Sequence, residues 1–496
     1  MSIQKQYLLA IDQGTTSSRA IIFNAQGELV ASAFEEFAQI YPADGWVEHD
    51  PQVIWQTTLA TCKAALAKSN LKASDVASIG ITNQRETTIV WDKNSGEVIY
   101  NAIVWQDRRT ATRCEGLKKN PDLVANVQEK TGLLIDPYFS ASKIEWLLDN
   151  VAGAREKAQA GELCFGTVDT FLLWQLTAGK VFATDATNAS RTLLFNITEN
   201  CWDQELLALF NIPETMLPEV KNSADNFGHT DRQHFGEAIA ISAMIGDQQA
   251  ALVGQACFKK GMMKSTYGTG CFVIVNTGSE ILYSQHKMLS TVAYRLNNKS
   301  TYALEGSIFM AGATMKWIRD GLALITDVGE SQLIAESMQE ENHVYLVPAF
   351  TGLGAPHWQP DARGAIIGLT RDSGIKEIVT AALASVAYQS RDLLIAMEQD
   401  GIKTTQLRVD GGMVVNDWLL QFLADTLDLV IERPNIIETS ASGAAMLAAL
   451  QQGIFSSVEQ AAQSWQVQAK FVPKMSEESR HRHYQGWLAA LQKVID

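Results

Sequence analysis

The sequence predicts an α/β protein with two domains of similar core topology. Its 496 residues exceed the size at which a single hydrophobic core keeps growing. Strand-length apolar segments such as "VASIGIT" and "QLRVDGG" alternate with helical patterns such as "FSASKIEWLLDNVA" and "SASGAAMLAALQQG". A strand-turn-strand pattern at the start of the chain recurs about half a chain later. Such a repeat predicts two related domains that face each other across a cleft.

The first strand-turn-strand pattern is "YLLAIDQGTTSSRAIIF", residues 7–23. We expect residues 7–11 and 20–23 to form buried strands with a polar turn between them. Gly14 permits close backbone approach, and donors suited to phosphate oxygens follow it. These donors belong to Thr15, Thr16, Ser17 and Arg19. Taken alone, the same residues also fit an ordinary polar hairpin.

Asp12 precedes this turn and would repel a phosphate group unless a cation lay between them. Magnesium in phosphate sites takes oxygen ligands from one or two carboxylates and from the phosphates themselves. Asp12 is therefore the candidate for holding Mg²⁺ beside the turn.

The second pattern is "MMKSTYGTGCFVIVNTGSE", residues 262–280, which again runs from a Gly-Thr turn through a strand to a turn that ends in glutamate. We align Tyr267 with Asp12, so we expect only the first domain to supply a metal carboxylate. The second turn would then contribute phosphate donors alone. A chance likeness between two short segments is the alternative.

The segment "GDQQAALVGQACFKKG", residues 246–261, predicts a helix at the junction, with Asp247 as its N-cap and Gly261 at its end. We expect one domain over residues 1–254 and another over 255–496, with Asp247 at the mouth of the cleft. A carboxylate at a helix N-terminus is commonly a cap. At a cleft it can instead accept the proton of a substrate hydroxyl that attacks phosphorus.

Other segments carry groups suited to a small polyol and a nucleotide. Arg85 and Glu86, adjacent in "ITNQRETTIVWD", can bind neighbouring hydroxyls, although a solvated charged turn is the alternative. Trp105 and Tyr138 can form an aromatic wall, although both also fit a plain core. In "LRVDGGMVVND" a strand runs into two glycines, where a purine or ribose can lie on the backbone; a common turn is the alternative.

Composition excludes several classes of function. The formal charge of −15 argues against a broad nucleic-acid or anionic-membrane surface. The six cysteines show no paired spacing and fit free thiols of a reducing compartment. The first residues show no signal-peptide pattern, and no apolar run is long enough for membrane insertion. We expect a cytoplasmic protein with small-molecule partners.

The succession "DQGTTSSR", "ITNQRETT", "GDQQAAL", "STYGTGCF", "AFTGLGAPHW" and "RVDGGMVVND" resembles the FGGY carbohydrate kinases. The segments "QRE", "WVEHDP", "VWQDRR" and "FGTVDTFLLWQLT" are similar to the glycerol-phosphorylating members of that family. The resemblance implies two actin-like, ribonuclease H-like ATPase lobes that close over a cleft. It further implies ATP-dependent phosphorylation of glycerol to sn-glycerol 3-phosphate, with Mg²⁺, by a homodimer or homotetramer.

The resemblance also implies roles for individual residues. Asp247 is the expected catalytic base, and Asp12 is expected to hold Mg²⁺ through water. The expected glycerol ligands and apolar wall are Arg85, Glu86, Tyr138, Gln248, Trp105 and Phe272. The expected nucleotide contacts are Thr15, Thr16, Ser17, Arg19, Thr269, Gly312, Gly412 and Met413. Near the adenine, Lys316 stands where glutamine is expected and Asp417 where asparagine is expected, which affects base selectivity.

Two alternative functions are those of a pentulose or hexulose kinase and of a non-catalytic nucleotide sensor.

Regulation of activity is expected in the segment "NFGHTDRQHFGEAIAIS", residues 226–242. It lacks the Gly-Gly-Lys run with which some relatives bind fructose 1,6-bisphosphate, so we expect no inhibition by that compound. His234 resembles a histidine that a phosphocarrier protein phosphorylates in other relatives; an exposed histidine without a regulatory role is the alternative.

Overall fold

A computed structural model describes residues 6–359 and 361–496. The first half of the chain contributes the strands β1 (Tyr7–Gln13), β2 (Ser17–Asn24), β3 (Leu29–Glu36), β4 (Glu48–His49), β5 (Val76–Asn83), β6 (Ile89–Asp92), β7 (Ala102–Ile103), β8 (Leu163–Gly166), β9 (Ala183–Asp185), β10 (Phe195–Asn196), β11 (Cys201–Trp202), β12 (Glu219–Lys221) and β13 (Ile241–Gly246). Its helices are α1 (Pro51–Ser69), α2 (Ala111–Lys118), α3 (Pro121–Thr131), α4 (Ser140–Asn150), α5 (Ala154–Gln159), α6 (Val168–Leu176), α7 (Ala186–Ala189), α8 (Gln204–Leu209), α9 (Arg232–Phe235) and α10 (Asp247–Gly254).

The second half contributes the strands β14 (Met263–Tyr267), β15 (Cys271–Gly278), β16 (Leu289–Leu296), β17 (Lys299–Ile308), β18 (Tyr345–Val347), β19 (Ala365–Ile367), β20 (Gln406–Asp410), β21 (Val430–Pro434) and β22 (Val467–Phe471). Its helices are α11 (Gly312–Asp320), α12 (Glu330–Glu336), α13 (Ile375–Gln399), α14 (Asp417–Leu427), α15 (Thr439–Gln451), α16 (Val458–Ala462) and α17 (Glu477–Ile495). Short 3-10 turns lie at Ala73–Asp75, Glu214–Met216 and Gly412–Val415.

The two central sheets share one topology, as the sequence repeat predicts. The first has the order β13-β5-β1-β2-β3, and the second has the order β16-β17-β15-β14-β20-β21-β22. In each, the opening strand is antiparallel to the next strand of its hairpin and parallel to its other neighbour. β13 and β21 then continue the parallel part. The predicted two-lobed α/β architecture is confirmed.

The first hairpin is tighter than predicted. Asp12 and Gln13 still belong to β1, where they lie opposite Arg19 and Ser18 of β2. The connection is therefore residues 14–16, and Ser17 and Arg19 lie on a strand rather than in the turn. Polar residues can continue a strand because the hydrogen bonds between strands are made by backbone groups. The length of an apolar run therefore does not show where the strand ends.

The second hairpin corrects the predicted alignment of Tyr267 with Asp12. Tyr267 lies opposite Cys271 at the last pair before the turn, so it corresponds to Gln13. Thr266 corresponds to Asp12, and its neighbour on β20 is Asp410, whereas the neighbour of Asp12 on β5 is Thr82. The second lobe therefore has a carboxylate at this level, on a different strand, and the expectation that only the first lobe supplies a metal carboxylate stays a prediction.

Helices α10 and α15 cross between the lobes. α10 packs against β14, β15 and β16 of the second sheet as well as β5 and β13 of the first, while α15 packs against β1, β5 and β13 of the first. They approach closely at Gly443, where an added Cβ would lie 1.9 Å from the carbonyl oxygen of Ala250. One apolar cluster contains residues of both sheets and both helices, among them Leu8, Ile274 and Ala444.

The junction helix differs from its predicted form. α10 begins at Asp247, with Gly246 at its N-cap, and ends at Gly254. It does not reach Gly261, because Ala256 has a φ of 51°, which no α-helix continues. The boundary between residues 254 and 255 falls at the end of α10 and stays a prediction. None of the helices in the described residues is long and apolar enough to cross a membrane.

Candidate active site

Several of the predicted site residues lie at one edge of the first sheet. β1 and β5 are parallel and in register, with Gln13 beside Asn83, and β5 is in turn parallel to β13, with Asn83 beside Gly246. Because parallel strands end at the same edge, Asp12, Arg85 and Asp247 are brought to one level of the sheet. The opening hairpin turn lies at this edge, and its counterpart at residues 268–270 follows β14 of the second sheet.

Arg85 and Glu86 belong to a buried network of charges that joins the two lobes. Glu305 of β17 accepts hydrogen bonds from Arg85 Nη1 at 2.5 Å and from Arg191 Nη2 at 2.9 Å. Glu86 accepts a hydrogen bond from Arg191 Nε at 2.6 Å. Arg85 and Glu86 are 3% and 1% exposed, which excludes a solvated charged turn.

Sequence reasoning missed Arg191 and Glu305, the two residues that hold Arg85 and Glu86 in place. A usable signal was the lone carboxylate in the otherwise apolar and small-residue strand segment "YALEGSIF". Burial of an ionised group is costly unless partners and hydrogen bonds compensate it, so an isolated glutamate in such a strand indicates a cationic partner. The identity of that partner is not encoded locally, because Arg191 lies 114 positions away.

Asp247 is the first residue of α10, and about a quarter of its side chain is exposed, at 27%. Its Oδ1 lies 3.2 Å from Nε of Arg85 and accepts the backbone N–H of Gln248 at 2.7 Å. Burial raises the pKa of this carboxyl, and the charges of Arg85 and Lys264 oppose the rise. Asp247 does not cap the helix, because Gly246 holds that position. A partly exposed carboxylate with a raised pKa is suited to accept a proton.

Gln248 is held by Lys264, which the sequence analysis also missed. Nζ of Lys264 donates to Oε1 of Gln248 at 2.6 Å and to the hydroxyl of Thr266 at 2.9 Å. Lys264 is fully buried on β14, and burial lowers its pKa. The carboxylates of Asp410 and Asp247 oppose this lowering, so a cation of the second lobe acts on the charge of the candidate base in the first.

The predicted aromatic wall forms. The ring of Trp105 lies 5.6 Å from that of Tyr138 and 6.3 Å from that of Phe272, with edge-to-face geometry in both pairs. Nε1 of Trp105 donates to the hydroxyl of Thr15 at 3.0 Å. The guanidinium of Arg85 lies 5.9 Å from the ring of Phe272. The wall therefore stands between the hairpin turn and the buried charges.

Asp12 is half-buried, and burial raises the pKa of its carboxyl to about 7. Arg19 opposes this rise, while the carboxylates of Glu438 and Asp247 add to it. Among the described residues, no group of three or more histidine, cysteine, aspartate or glutamate side chains is arranged to hold a metal ion. An ion beside Asp12 would therefore take further ligands from phosphate oxygens and water.

Some of the predicted nucleotide contacts come together at the second turn. Gly312 begins α11, where an added Cβ would lie 2.6 Å from the carbonyl oxygen of Gly268 and 3.5 Å from Sδ of Met413. Gly412 has open space at its Cβ position, and Thr269 is exposed. The side chain of Arg19 is instead paired with Glu438 of the second lobe.

Lys316 and Asp417, the two departures from the expected pattern, are both exposed. Lys316 lies in the second turn of α11. Asp417 is the first residue of α14 and forms an ion pair with Arg433 at 2.8 Å. Their effect on base selectivity stays a prediction.

Comparison with known proteins decides the family. Residues 7–254 match the sequence model of the FGGY family of carbohydrate kinases, N-terminal domain, and residues 263–451 match that of its C-terminal domain. The chain belongs to the FGGY family. Glycerol kinase of Ectopseudomonas mendocina is 61% identical over 490 residues, with 99% of each chain covered. Glycerol kinase 1 of Pseudomonas aeruginosa is 60% identical, with 98% of this chain and 99% of the relative covered.

A solved FGGY structure has the same fold over nearly the whole chain. Plasmodium falciparum glycerol kinase, determined with ADP, gives a TM-score of 0.91 at 36% identity. The match covers 99% of this chain and 98% of that one. The two-lobed kinase fold implied by the sequence resemblance is confirmed.

Proposed function

We propose that the protein transfers the γ-phosphoryl group of ATP to glycerol and forms sn-glycerol 3-phosphate and ADP. The observation that carries this proposal is the partly exposed carboxylate of Asp247, held 3.2 Å from Arg85 beside the aromatic wall. Identity of about 60% to glycerol kinases over nearly the full length supports the same substrate.

In this proposal, glycerol lies between the buried charges and the aromatic wall. Arg85, Glu86 and Gln248 bind its hydroxyls, while the rings of Trp105 and Phe272 contact its carbon chain. Asp247 accepts the proton of the terminal hydroxyl as that oxygen attacks the γ-phosphorus, and ADP leaves. The raised pKa of Asp247 suits it to this transfer.

The nucleotide binds, in this proposal, between the two hairpin turns. Backbone and hydroxyl groups of residues 14–17 and 268–270 donate to its phosphate oxygens. Mg²⁺ fits beside Asp12, because burial disfavours an isolated carboxylate there and a cation would stabilise its charge. When bound, Mg²⁺ neutralises phosphate charge. Gly312, Gly412 and Met413 border the space for the nucleoside.

Substrate range tests the proposal. ADP release is measured with glycerol, dihydroxyacetone, xylulose and gluconate as acceptors, with Asp247→Asn as the blank. We expect the highest kcat/KM with glycerol, because the site joins several hydroxyl ligands to a short apolar wall. Preference for xylulose or gluconate would favour a pentulose or hexulose kinase. Absence of turnover with every acceptor, although ATP binds, would favour a nucleotide sensor.

We further propose regulation through His234. Its Nε2 lies 3.0 Å from the carbonyl oxygen of Gln175, and its ring packs edge-on against Trp55 at 5.1 Å, so it is less exposed than a free loop histidine. If Nε2 carries the proton of that contact, Nδ1 is the nucleophilic nitrogen. Incubation with phosphocarrier protein, its kinase and phosphoenolpyruvate should place phosphate on His234 and raise the rate. An unmodified His234, or an unchanged rate, contradicts this role.

Fructose 1,6-bisphosphate should not inhibit, because Asp231 and Glu237 lie within the segment of residues 226–242 and would repel a bisphosphate. Inhibition measured at saturating glycerol checks this.

A homodimer or homotetramer is our proposal for the assembly, and light scattering measures it. A cytoplasmic location stays a prediction, in keeping with six free cysteines and ATP as the phosphoryl donor.

A further inference from the structure

A cavity of about 600 Å³ lies in the second lobe, away from the candidate active site. It opens where the connection from α10 to β14 meets the beginning of β20 and the short helix α16. Apart from three residues of α16, the lining residues precede β14 or belong to the start of β20 and the connection before it, whereas Thr266 and Asp410 lie near the other ends of these strands, toward the cleft. The cavity and the cleft are therefore at opposite ends of the same parallel strands.

Basic side chains converge on this cavity although the chain as a whole has a net charge of −15. Its cations are Lys259, Lys260, Lys403 and Arg408, and its lining acid is Glu459. Lys259 and Lys403 are exposed, and neither forms an ion pair with a described carboxylate. Lys260 pairs with Glu280 at 2.8 Å on the open surface, where water and salt weaken such a bond.

Arg408 lines the cavity from a half-buried position on β20. Its guanidinium stacks on the ring of Trp465 at 3.6 Å, donates to the carbonyl oxygen of Gln255, and lies 3.5 Å from Glu432. Gln255 in turn donates from Nε2 to Asp410 at 2.8 Å. Three neighbours therefore hold the side chain of Arg408, one of them the carboxylate of Glu432, whereas the lysines of the cavity are exposed.

We propose that this cavity binds a small phosphorylated anion. Its volume is that of a typical small-molecule site, and lysines act as adaptable point charges for phosphate. The hydroxyl of exposed Thr405 adds a donor at the rim. A nucleic acid would need a broad basic surface, which the strongly acidic chain argues against. The site is independent of the proposed kinase reaction.

The first test measures the reactivity of lysines toward an acetylating reagent, by mass spectrometry. Glycerol and a non-hydrolysable ATP analogue first saturate the cleft, and inorganic phosphate is then compared with sodium chloride of equal ionic strength. We expect phosphate to slow acetylation of Lys259 and Lys403 by about threefold or more, because bound anions shield the amines. Exposed Lys119, at the end of α2, is the reference and should be unaffected.

The second test measures phosphate binding calorimetrically under the same conditions. The double variant Lys259→Gln, Lys403→Gln should bind phosphate about tenfold or more weakly than the parent, because two charge contacts are lost. The control variant Lys119→Gln, Lys299→Gln makes the same charge change on other exposed surfaces. Equal protection of Lys119, absence of protection at the cavity, or equal affinity of the two double variants would overturn the proposal. None of these outcomes depends on kinase activity.

Discussion

The Nε atom of Arg85 lies 3.2 Å from Oδ1 of Asp247, while the other two nitrogens of the same guanidinium donate to Glu305. Asp247 directly follows β13 of the first sheet, and Glu305 belongs to β17 of the second. One buried arginine therefore fixes the candidate base relative to both lobes. The position of the candidate base and the arrangement of the lobes therefore depend on the same side chain.

Asp247→Asn should preserve folding and lower kcat by about 10² or more, because the amide keeps the shape but cannot accept a proton. Rapid-mix ADP-release assays measure kcat, and circular dichroism checks the fold. Asp372→Asn, an equal change at an exposed position, is the control. Near-full turnover of Asp247→Asn would assign the proton transfer to another group.

The pH dependence should report the raised pKa of Asp247. Catalysis requires the ionised carboxylate, so kcat/KM falls as the pH drops through that pKa, and the acidic limb lies above the ordinary aspartate value of about 4. Arg85 lowers this pKa, so Arg85→Gln should move the limb to higher pH. Profiles of kcat/KM, with unfolding followed at each pH, measure it. A limb unmoved by Arg85→Gln argues against Asp247 as its source.

Glu305→Gln should raise the KM for glycerol by about tenfold and leave that for ATP within about twofold, because it releases Arg85 but not the nucleotide residues. Removing one partner of a buried ion pair also costs about 3–5 kcal/mol of stability, so the melting temperature should fall. Steady-state kinetics and calorimetry measure both. Glu340→Gln, exposed on the second lobe, is the control. Equal effects on both substrates would leave Glu305 with a general structural role.

Asp12→Ala should raise the Mg²⁺ concentration needed for half-maximal rate by about tenfold or more, because the proposed contact is on the metal side of the cleft. Glycerol binding, measured by calorimetry without nucleotide, should change little. Titration of the rate with magnesium at fixed ATP measures the effect. An unchanged magnesium requirement would contradict the assignment of Asp12 to Mg²⁺ binding.

Gly443→Ala should destabilise the protein by at least about 1–3 kcal/mol, because its Cβ would lie 1.9 Å from the carbonyl oxygen of Ala250 and force α10 and α15 apart. Gly116→Ala is the matched control, since it also lies in a helix but meets no atom within 4 Å. Its higher helix propensity should stabilise by up to about 1 kcal/mol. Chemical denaturation measures both. Equal stability of the two variants would mean that the crossing adapts freely.

The sequence carried the local features of the fold. Apolar runs bounded by Gly-Thr turns predicted both hairpins, and the pairing of β1 with β2 and of β14 with β15 confirms them. The sequence also identified Arg85, Asp247 and the aromatic wall as candidate site residues, because each lies in a recognisable short segment. Strand ends were less predictable, since Asp12 and Gln13 are polar residues whose backbone groups continue the ladder.

The sequence did not predict which residues of one lobe contact which residues of the other. Glu305 lies 220 positions from Arg85, and Glu438 lies 419 positions from Arg19. Such contacts depend on how the two sheets are placed, which no local period encodes. Buried Lys264 was missed for a similar reason, because its ammonium group donates to Gln248 on the other side of the junction, while Asp410 acts on its charge from the neighbouring strand β20. The sequence signal for such contacts was a single charged residue within an otherwise apolar strand.

The exchange of α10 and α15 between the sheets also bears on how the chain folds during synthesis. We expect the face of the first sheet that α15 covers to stay open until residues 439–451 have left the ribosome, near the end of translation. Until then its apolar residues, among them Leu8 and Ile21, are exposed to chaperones and proteases. The midpoint of the chain is thus not a folding boundary. Proteolysis of stalled nascent chains should show the first half becoming resistant only once α15 has emerged.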